Sequence, residues 1–287
     1  MTTPFNPSTP IITDSDFVRF PDFFYRKTGI MFADNKRYFV DKRLHERMLT
    51  VGQTQFRDYF NTIRFQASSE EFQTLVNLMT VNETYFYREE YQFRCLVQSI
   101  LPEVTRHKRP GEPVRIWSVP CSTGEEPYSI AFQLLDTWPD VDRFDIEIVA
   151  TDIDTTVLEQ AKRGLYGDRS VQHVPKATLE RYTRRVRGAY EVIPDIRDSI
   201  AFARVNLADS LSTRQFRNFD VVFCRNLLIY FDDASRRNAA QTIYEALRPG
   251  GFVCLGHSES MSRMSSLFEL RKFTEAIVYQ KPLSAEA

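Results

Sequence analysis

The chain has little of what marks the simpler function classes. Its four cysteines, Cys95, Cys121, Cys224 and Cys254, stand at no metal-ligand spacing. That argues against a cysteine-based metal site and suits buried thiols in a reducing compartment, since three of the four fall in or beside predicted strands. The four histidines are far apart and suggest no metal site. Acidic and basic residues balance to a net charge of −1, so there is no bulk attraction for nucleic acid. No apolar run reaches the roughly eighteen residues that span a bilayer. The opening MTTPFNPSTP has neither a basic n-region nor an apolar h-region. It does not read as a signal peptide and is expected to be a disordered tail.

What is present is ample core material: 43% apolar residues, with 23 phenylalanines among 287 residues, enough for one large domain or two modest ones. Residues 14–80 have helical periodicity. Val40, Leu44 and Met48 recur at i, i+4 and i+8, and Phe56, Tyr59, Phe60 and Ile63 form a second stripe. Lys36, Arg37, Lys42, Arg43 and Arg47 crowd one short region against only Asp41 and Glu46. This is either a solvated helix face or a dock for an acidic helix on a partner.

From residue 114 the pattern alternates. Strands are expected at 114–119, 145–151, 200–204, 219–224, 252–256 and 276–281, with helices at 125–137, 155–163 and 233–247. Such alternation predicts a parallel sheet with helices on both faces. The last two strands, joined across 267–273 without a helix, predict a hairpin at one edge. Between residues 164 and 206 the rhythm breaks. A short helix at 179–186 and antiparallel strands at 190–194 and 200–203 predict an inserted β-subdomain, the kind of elaboration that often handles substrate.

Five segments carry chemistry. In WSVPCSTGEEPYSI, residues 117–130, a strand enters a loop of small residues and then a helix. The loop has one glycine, Gly124, where a dinucleotide fingerprint has three. Twenty-eight residues after Gly124, Asp152 sits at the tip of the next strand, where an acid can accept from both ribose hydroxyls. The alternative is an ordinary strand–turn–helix crossover, and Cys121 within the loop is either inert or a reactive thiol. In MTVNETYFYRE, residues 79–89, Asn82 and Thr84 are short hydrogen-bonding side chains, and Arg88 has the two-pronged geometry that suits a carboxylate. Equally, Asn82 can cap a helix, Thr84 can face solvent, and Arg88 can pair with Glu89 or Glu90. In FDVVFCRNLLIYF, residues 219–231, Arg225 and Asn226 fall at the carboxyl end of a parallel strand, where open α/β sheets bind ligands. Tyr230 points into the site or packs under the next helix. Asn206 and Leu207 end another strand and can hold an adenine edge. RPGGFVCLGHSE, residues 248–259, emerges at His257, Ser258 and Glu259.

Together, NETYFYRE, WSVPCSTGEEPYSIA, ATDID, FDVVFCRNLLIYF and LRPGGFVCLGHSES resemble the chemotaxis receptor methyltransferase family, over about residues 15–282. The resemblance implies an α/β chain with a class I S-adenosylmethionine-dependent methyltransferase fold. It implies a mostly parallel seven-stranded sheet, a small all-α N-terminal domain and an inserted antiparallel β-subdomain. The implied domains are a tail at 1–13, a receptor-docking helical domain at 14–80 and a linker at 81–110. A methyltransferase domain at 111–282, with its insertion at about 165–205, and a tail at 283–287 complete the chain. The implied reaction transfers a methyl group from S-adenosylmethionine to glutamate γ-carboxylates on the cytoplasmic helices of bacterial chemoreceptors. It takes place in the cytoplasm, releases S-adenosylhomocysteine, and needs no metal, nucleic acid or membrane insertion.

Carried over residue by residue, the cofactor contacts fall on Asn82, Thr84, Arg88, the Glu125–Glu126 pair, Asp152, Asn206, Leu207, Arg225 and Asn226, while receptor docking is expected of the basic cluster Lys36, Arg37, Lys42, Arg43 and Arg47. Arg88 and Tyr230 are the expected positioning groups. A substrate glutamate with an ordinary pKa near 4.3 is already ionised at pH 7, so no general base is required. Two departures stand out. Pro120 and Cys121 replace the small Ala or Gly residues of many relatives and tighten the loop. The insertion near 184–190 is short, with a lone Gly188, which points to independence from a receptor pentapeptide tether. Competing readings are a methyltransferase of the same fold acting on another protein or a small molecule, and a non-catalytic S-adenosylmethionine-binding signalling module. A nicotinamide dehydrogenase fits poorly with the single-glycine loop and the terminal hairpin.

Overall fold

A computed structural model of the chain describes residues 12–65 and 70–283. The tails expected at 1–13 and 283–287 therefore lie, but for residues 12, 13 and 283, outside the described residues. The chain divides into two compact units, Met1–Val81 and Asn82–Ala287.

The first unit has the helices α1 (Asp14–Thr28), α2 (Arg37–Thr50), α3 (Phe56–Phe65) and α4 (Glu70–Met79). Helix α1 begins at a reciprocal cap. Thr13 Oγ1 accepts the Asp16 amide at 3.2 Å and Asp16 Oδ2 accepts the Thr13 amide at 3.1 Å, before the helix ends on Gly29 at φ +74°. The two predicted stripes are the core of this unit: Val40, Leu44, Met48, Phe56, Tyr59, Phe60 and Ile63 are all buried.

In chain order the second unit contains α5 (Tyr91–Cys95), a π-helical turn (Leu96–Ile100), α6 (Leu101–Thr105), β1 (Pro113–Ser118), α7 (Glu125–Thr137), β2 (Asp145–Asp152) and α8 (Thr155–Arg163). It continues with β3 (Leu165–Tyr166), α9 (Asp168–Val171), α10 (Lys176–Tyr182), β4 (Thr183–Val186), β5 (Ala189–Val192), α11 (Pro194–Asp198) and β6 (Ile200–Arg204). Then come α12 (Ser210–Thr213), β7 (Phe219–Cys224), α13 (Asp233–Ala246), β8 (Leu247–Leu255), β9 (Glu269–Lys272) and β10 (Ile277–Gln280). Seven strands form one sheet in the order β6-β2-β1-β7-β8-β10-β9. The first five are mutually parallel, with Ile116 opposite both Ile148 and Val221, while β10 runs antiparallel to β8 and β9. The α/β expectation, with a separate all-α unit and an antiparallel insertion, agrees with this architecture.

Four local expectations differ. The stretch expected as a linker holds a continuous helical run whose Phe93, Leu96, Ile100 and Leu101 are buried in the core of the second unit. Apolar side chains at that spacing bury a helix face. Residues 200–204 are not part of the insertion's antiparallel sheet. They form β6, parallel to β2, with Val149 opposite Ala201. The helix expected at 179–186 stops at Tyr182, and the chain turns into β4, where β-branched Thr183 and Val186 favour the strand. The stretch 267–273 holds an edge strand, β9, that its charged sequence ELRK concealed. The inserted sheet, in the order β3-β5-β4, closes β4 to β5 through only Arg187 and Gly188, both at positive φ.

The sheet positions the site. Successive strands run outward from β1 to β2 and β6, then return to β7 on its other side, so strand order reverses between β1 and β7. At such a switch point open α/β sheets bind ligands in the crevice outside the carboxyl ends of the strands.

Candidate active site

The crevice begins with the loop after β1. The Val119 amide bonds to the Phe223 carbonyl on β7 at 2.8 Å, and the Cys121 amide bonds to the Thr151 carbonyl on β2 at 2.8 Å. Ser122 is at φ +48° and Gly124 at φ +96°. A Cβ on Gly124 would lie 2.8 Å from Tyr166 Oη and 2.9 Å from Ala161 Cβ, so only glycine fits there. Tyr166 Oη donates to the Thr123 carbonyl at 2.7 Å, which ties the insertion to the loop. Cys121 is buried and its thiol is pushed well above its ordinary value, chiefly by burial, so it is not a reactive nucleophile.

Asp152 ends β2 and is buried. Its Oδ2 accepts the Ser122 amide at 2.8 Å and its Oδ1 the Asp154 amide at 2.9 Å. A carboxylate has about four lone-pair sites, so both oxygens keep acceptor capacity. Ser122 Oγ, in the same wall, is buried with no hydrogen-bond partner among the described residues. These groups fit a ligand that brings hydroxyl or amine donors, as the ribose and ammonium of S-adenosylmethionine would. Asn82 reaches the neighbouring acid rather than capping a helix: its Nδ2 donates to Asp154 Oδ2 at 2.8 Å, while Asp154 Oδ1 caps α8.

The two glutamates opening α7 have different partners. Glu125 accepts from Thr123 Oγ1 at 2.6 Å and Ser170 Oγ at 2.7 Å. Glu126 accepts from Ser118 Oγ at 2.7 Å and from Arg225 Nη1 at 3.0 Å. Burial pushes both carboxyls up from their ordinary value. Arg225, with its side chain only 2% exposed, bridges Glu126 and Glu89, the latter at 3.4 Å, and also donates to the Arg88 carbonyl. Glu89 additionally accepts from Gln92 Nε2 at 2.9 Å and lies 3.0 Å from His257 Nδ1. Burial pushes the Glu89 carboxyl up, but Arg225 and His257 outweigh it and hold the group below its ordinary value.

Arg88 pairs with neither Glu89 nor Glu90; its Nη1 donates to the Glu83 carbonyl at 2.7 Å, which leaves most of its fork for a ligand. Tyr230, 36% exposed, stands within electrostatic reach. Burial pushes its phenol up while the Arg88 charge pulls it down, so it remains a donor at neutral pH. Asn206 Oδ1 accepts the Ala208 amide at 3.1 Å at the end of β6, and Leu207 is buried beside it. For Thr84, half-buried in the same segment as Asn82 and Arg88, the structure gives no contact that assigns a role.

Sequence reasoning assigned no role to Glu89 or Glu259, yet both organise the crevice. Glu259 accepts the amides of Asn226 at 2.8 Å, Leu228 at 2.7 Å and Gly256 at 2.8 Å, which binds the loop after β7 to the end of β8. Asn226 is at φ +58°, as are Tyr87 and Glu89. With Ser122, these are four of the six non-glycine residues in the left-handed region among the described residues. Such strain, of order 1 kcal/mol each, persists where the surroundings over-determine the backbone, as at functional sites.

The basic segment of the first unit is more committed than its sequence suggests. Arg47 grips Glu71 through two bonds of 3.0 and 2.7 Å, joined by Tyr59 Oη at 2.8 Å. Arg43 donates to the Leu78 carbonyl at 2.7 Å and stacks 3.5 Å over the Phe39 ring. Arg37 pairs with Asp14 at 2.6 Å and Asp41 at 3.3 Å. Lys36 and Lys42 are exposed. Arg43 and Arg47 are thus internal ties of the helical unit, and the cations of this segment that face solvent are Lys36, Lys42 and, in part, Arg37.

Comparison with known proteins gives the family. Residues 82–277 match the model of the CheR methyltransferase, SAM binding domain, and residues 15–80 that of the CheR methyltransferase, all-alpha domain. The chain is 53% identical to chemotaxis protein methyltransferase 2 of Vibrio cholerae, across 95% of this chain and 94% of that one. It is 36% identical to the chemotaxis protein methyltransferase of Escherichia coli, across 91% and 89% of the two chains. With both units matched in order and relatives alike from end to end, the chain belongs to the CheR methyltransferase family.

Proposed function

We propose that this chain transfers a methyl group from S-adenosylmethionine to glutamate γ-carboxylates on the cytoplasmic helices of bacterial chemoreceptors, forming glutamyl methyl esters. The observation that carries the reading is the buried end of β2: Asp152 keeps acceptor capacity on both oxygens, and the neighbouring Ser122 Oγ is buried without a hydrogen-bond partner among the described residues. When bound, S-adenosylmethionine supplies an electrophilic methyl on a positively charged sulfur. Buried acids around the crevice favour that charge over the neutral product. Asp152 accepts from the ribose hydroxyls, with Ser122 Oγ as a further ligand contact. A glutamate substrate arrives ionised. Arg88 and Tyr230 then have one task, to hold the carboxylate oxygen in line with the methyl group. The attacking oxygen carries no proton, so the transfer needs no general base.

The site of action is the cytoplasm, where receptor helices are reached without a membrane span. The two-residue β4–β5 turn leaves no extended loop for a tether and supports a tether-independent mode. Two measurements test the reading. Calorimetric titration with S-adenosylhomocysteine should give binding. Transfer of labelled methyl to receptor cytoplasmic fragments should give alkali-labile ester label. Binding without ester label on any receptor fragment would shift the reading to another substrate or to a signalling module. Arg88→Ala should lower turnover at least a hundredfold with little loss of stability, and intact turnover would remove the alignment role.

A further inference from the structure

We infer that the second unit carries its own receptor subsite, a basic cavity that receives an acidic side chain flanking the target glutamate. The inference rests on the glutamate-methylating reading and deepens it. Beside Tyr230, the loop after β7, the start of α13 and the chain after β8 enclose a cavity of about 390 Å³. Arg237 and Arg263 line it, are exposed, and make no ion pair among the described residues. The acids on its walls are already committed: Asp233 pairs with Arg236 at 3.2 Å, and the Glu259 carboxylate accepts three backbone amides. With Arg236, Arg237 and Arg263 against Asp233 and Glu259, the lining is net positive. Ile229, 46% exposed, lines the cavity, and the next residue is Tyr230, 36% exposed.

A ligand held on Arg88 and Tyr230 by one carboxylate, and extending over Ile229, would bring a neighbouring side chain to these guanidiniums. An acid matches their charge and their two-pronged donors. A receptor helix with acids about one turn from its target glutamate has that chemistry. The subsite would select which glutamates are methylated and speed the encounter.

The test uses the full chain, a receptor helical fragment with acidic residues one turn either side of its target glutamate, and the same fragment with those acids changed to Gln. Wild-type protein should favour the acidic fragment. Arg237→Gln combined with Arg263→Gln should lower kcat/KM about tenfold on the acidic fragment and less than twofold on the Gln fragment, with S-adenosylhomocysteine affinity and thermal midpoint unchanged. Equal loss on both fragments, or no loss on either, overturns the subsite while leaving the function intact. Failure of the wild type to methylate either fragment overturns the functional reading itself, and the subsite with it.

Discussion

Arg225 Nη1 lies 3.0 Å from Glu126 Oε2 while its other terminal nitrogen lies 3.4 Å from Glu89, so one buried cation joins the loop before α5 to the start of α7. Removing it leaves two acids without their main partner in a desolvated site. Breaking a buried pair in this way costs about 3–5 kcal/mol. Arg225→Ala should lower the thermal midpoint of the second unit by on the order of ten degrees. Adding Glu126→Gln should recover part of that loss, because the double variant no longer buries an orphaned carboxylate. Calorimetric unfolding of the three variants checks it, and a double variant as unstable as the sum of the singles would refute the coupling.

Asp152 gives a pH signature. Burial pushes its carboxyl from 3.8 up to about 6, against the pull of the Asp154 and Ser122 amides. The folded chain thus binds this proton more tightly than the unfolded one. The stabilisation is fully present below about pH 4 and is lost as pH rises through about 6. Under the proposed ribose contact, ligand binding runs the other way, because the ionised carboxylate is the better acceptor for two hydroxyls. S-adenosylhomocysteine affinity should therefore fall about tenfold between pH 7.5 and pH 5. Asp152→Asn should bind weakly across that range with no step near pH 6. A step that persists in Asp152→Asn would assign the titration to another group.

Much of this was legible in the sequence, for identifiable reasons. The stripes Val40-Leu44-Met48 and Phe56-Tyr59-Phe60-Ile63 obey helical spacing, and that periodicity survives folding because one face must be buried. Asp152, Arg225 and Asn226 could be placed at the carboxyl ends of strands because the apolar runs of β2 and β7 are continuous in the sequence. What was hidden was long-range. Glu89 and Arg225 are 136 positions apart in the sequence, and no local pattern pairs them. Glu259 acts on backbone amides, which have no sequence signal. Strand β9 was masked because an edge strand can be charged on both faces, and the helix after residue 90 was set aside as a linker for want of any strand–helix rhythm around it.

Gly124 is closely packed in the loop after β1. Alanine there meets Tyr166 Oη at 2.8 Å and Ala161 Cβ at 2.9 Å and must adopt φ +96°. Left-handed strain and overpacking together should destabilise by about 2–4 kcal/mol. Tyr166→Phe removes the bond to the Thr123 carbonyl and should cost about 1 kcal/mol. It relieves the first clash in the double variant but not the second, so Gly124→Ala with Tyr166→Phe should remain destabilised. Chemical denaturation measures both, and a Gly124→Ala variant as stable as wild type would mean the loop relaxes elsewhere.

The cations of the basic segment in the helical unit separate into two behaviours. Arg47 and Glu71, with side chains 17% and 10% exposed, form an internal tie, and Arg47→Glu places two acids together in a poorly solvated spot. That change should destabilise the helical unit by about 2–4 kcal/mol and slow methylation only through misfolding. Lys36 and Lys42 face solvent. Lys36→Glu with Lys42→Glu should leave the helical circular dichroism and thermal midpoint unchanged while lowering kcat/KM for receptor about tenfold at low ionic strength. The difference from wild type should shrink toward nothing in 0.5 M salt, because exposed charges beyond a Debye length are screened. Encounter between a positive helix face and an acidic receptor helix predicts that salt dependence. A double-lysine variant that methylates receptor at the wild-type rate in low salt would return these side chains to the status of a solvated surface.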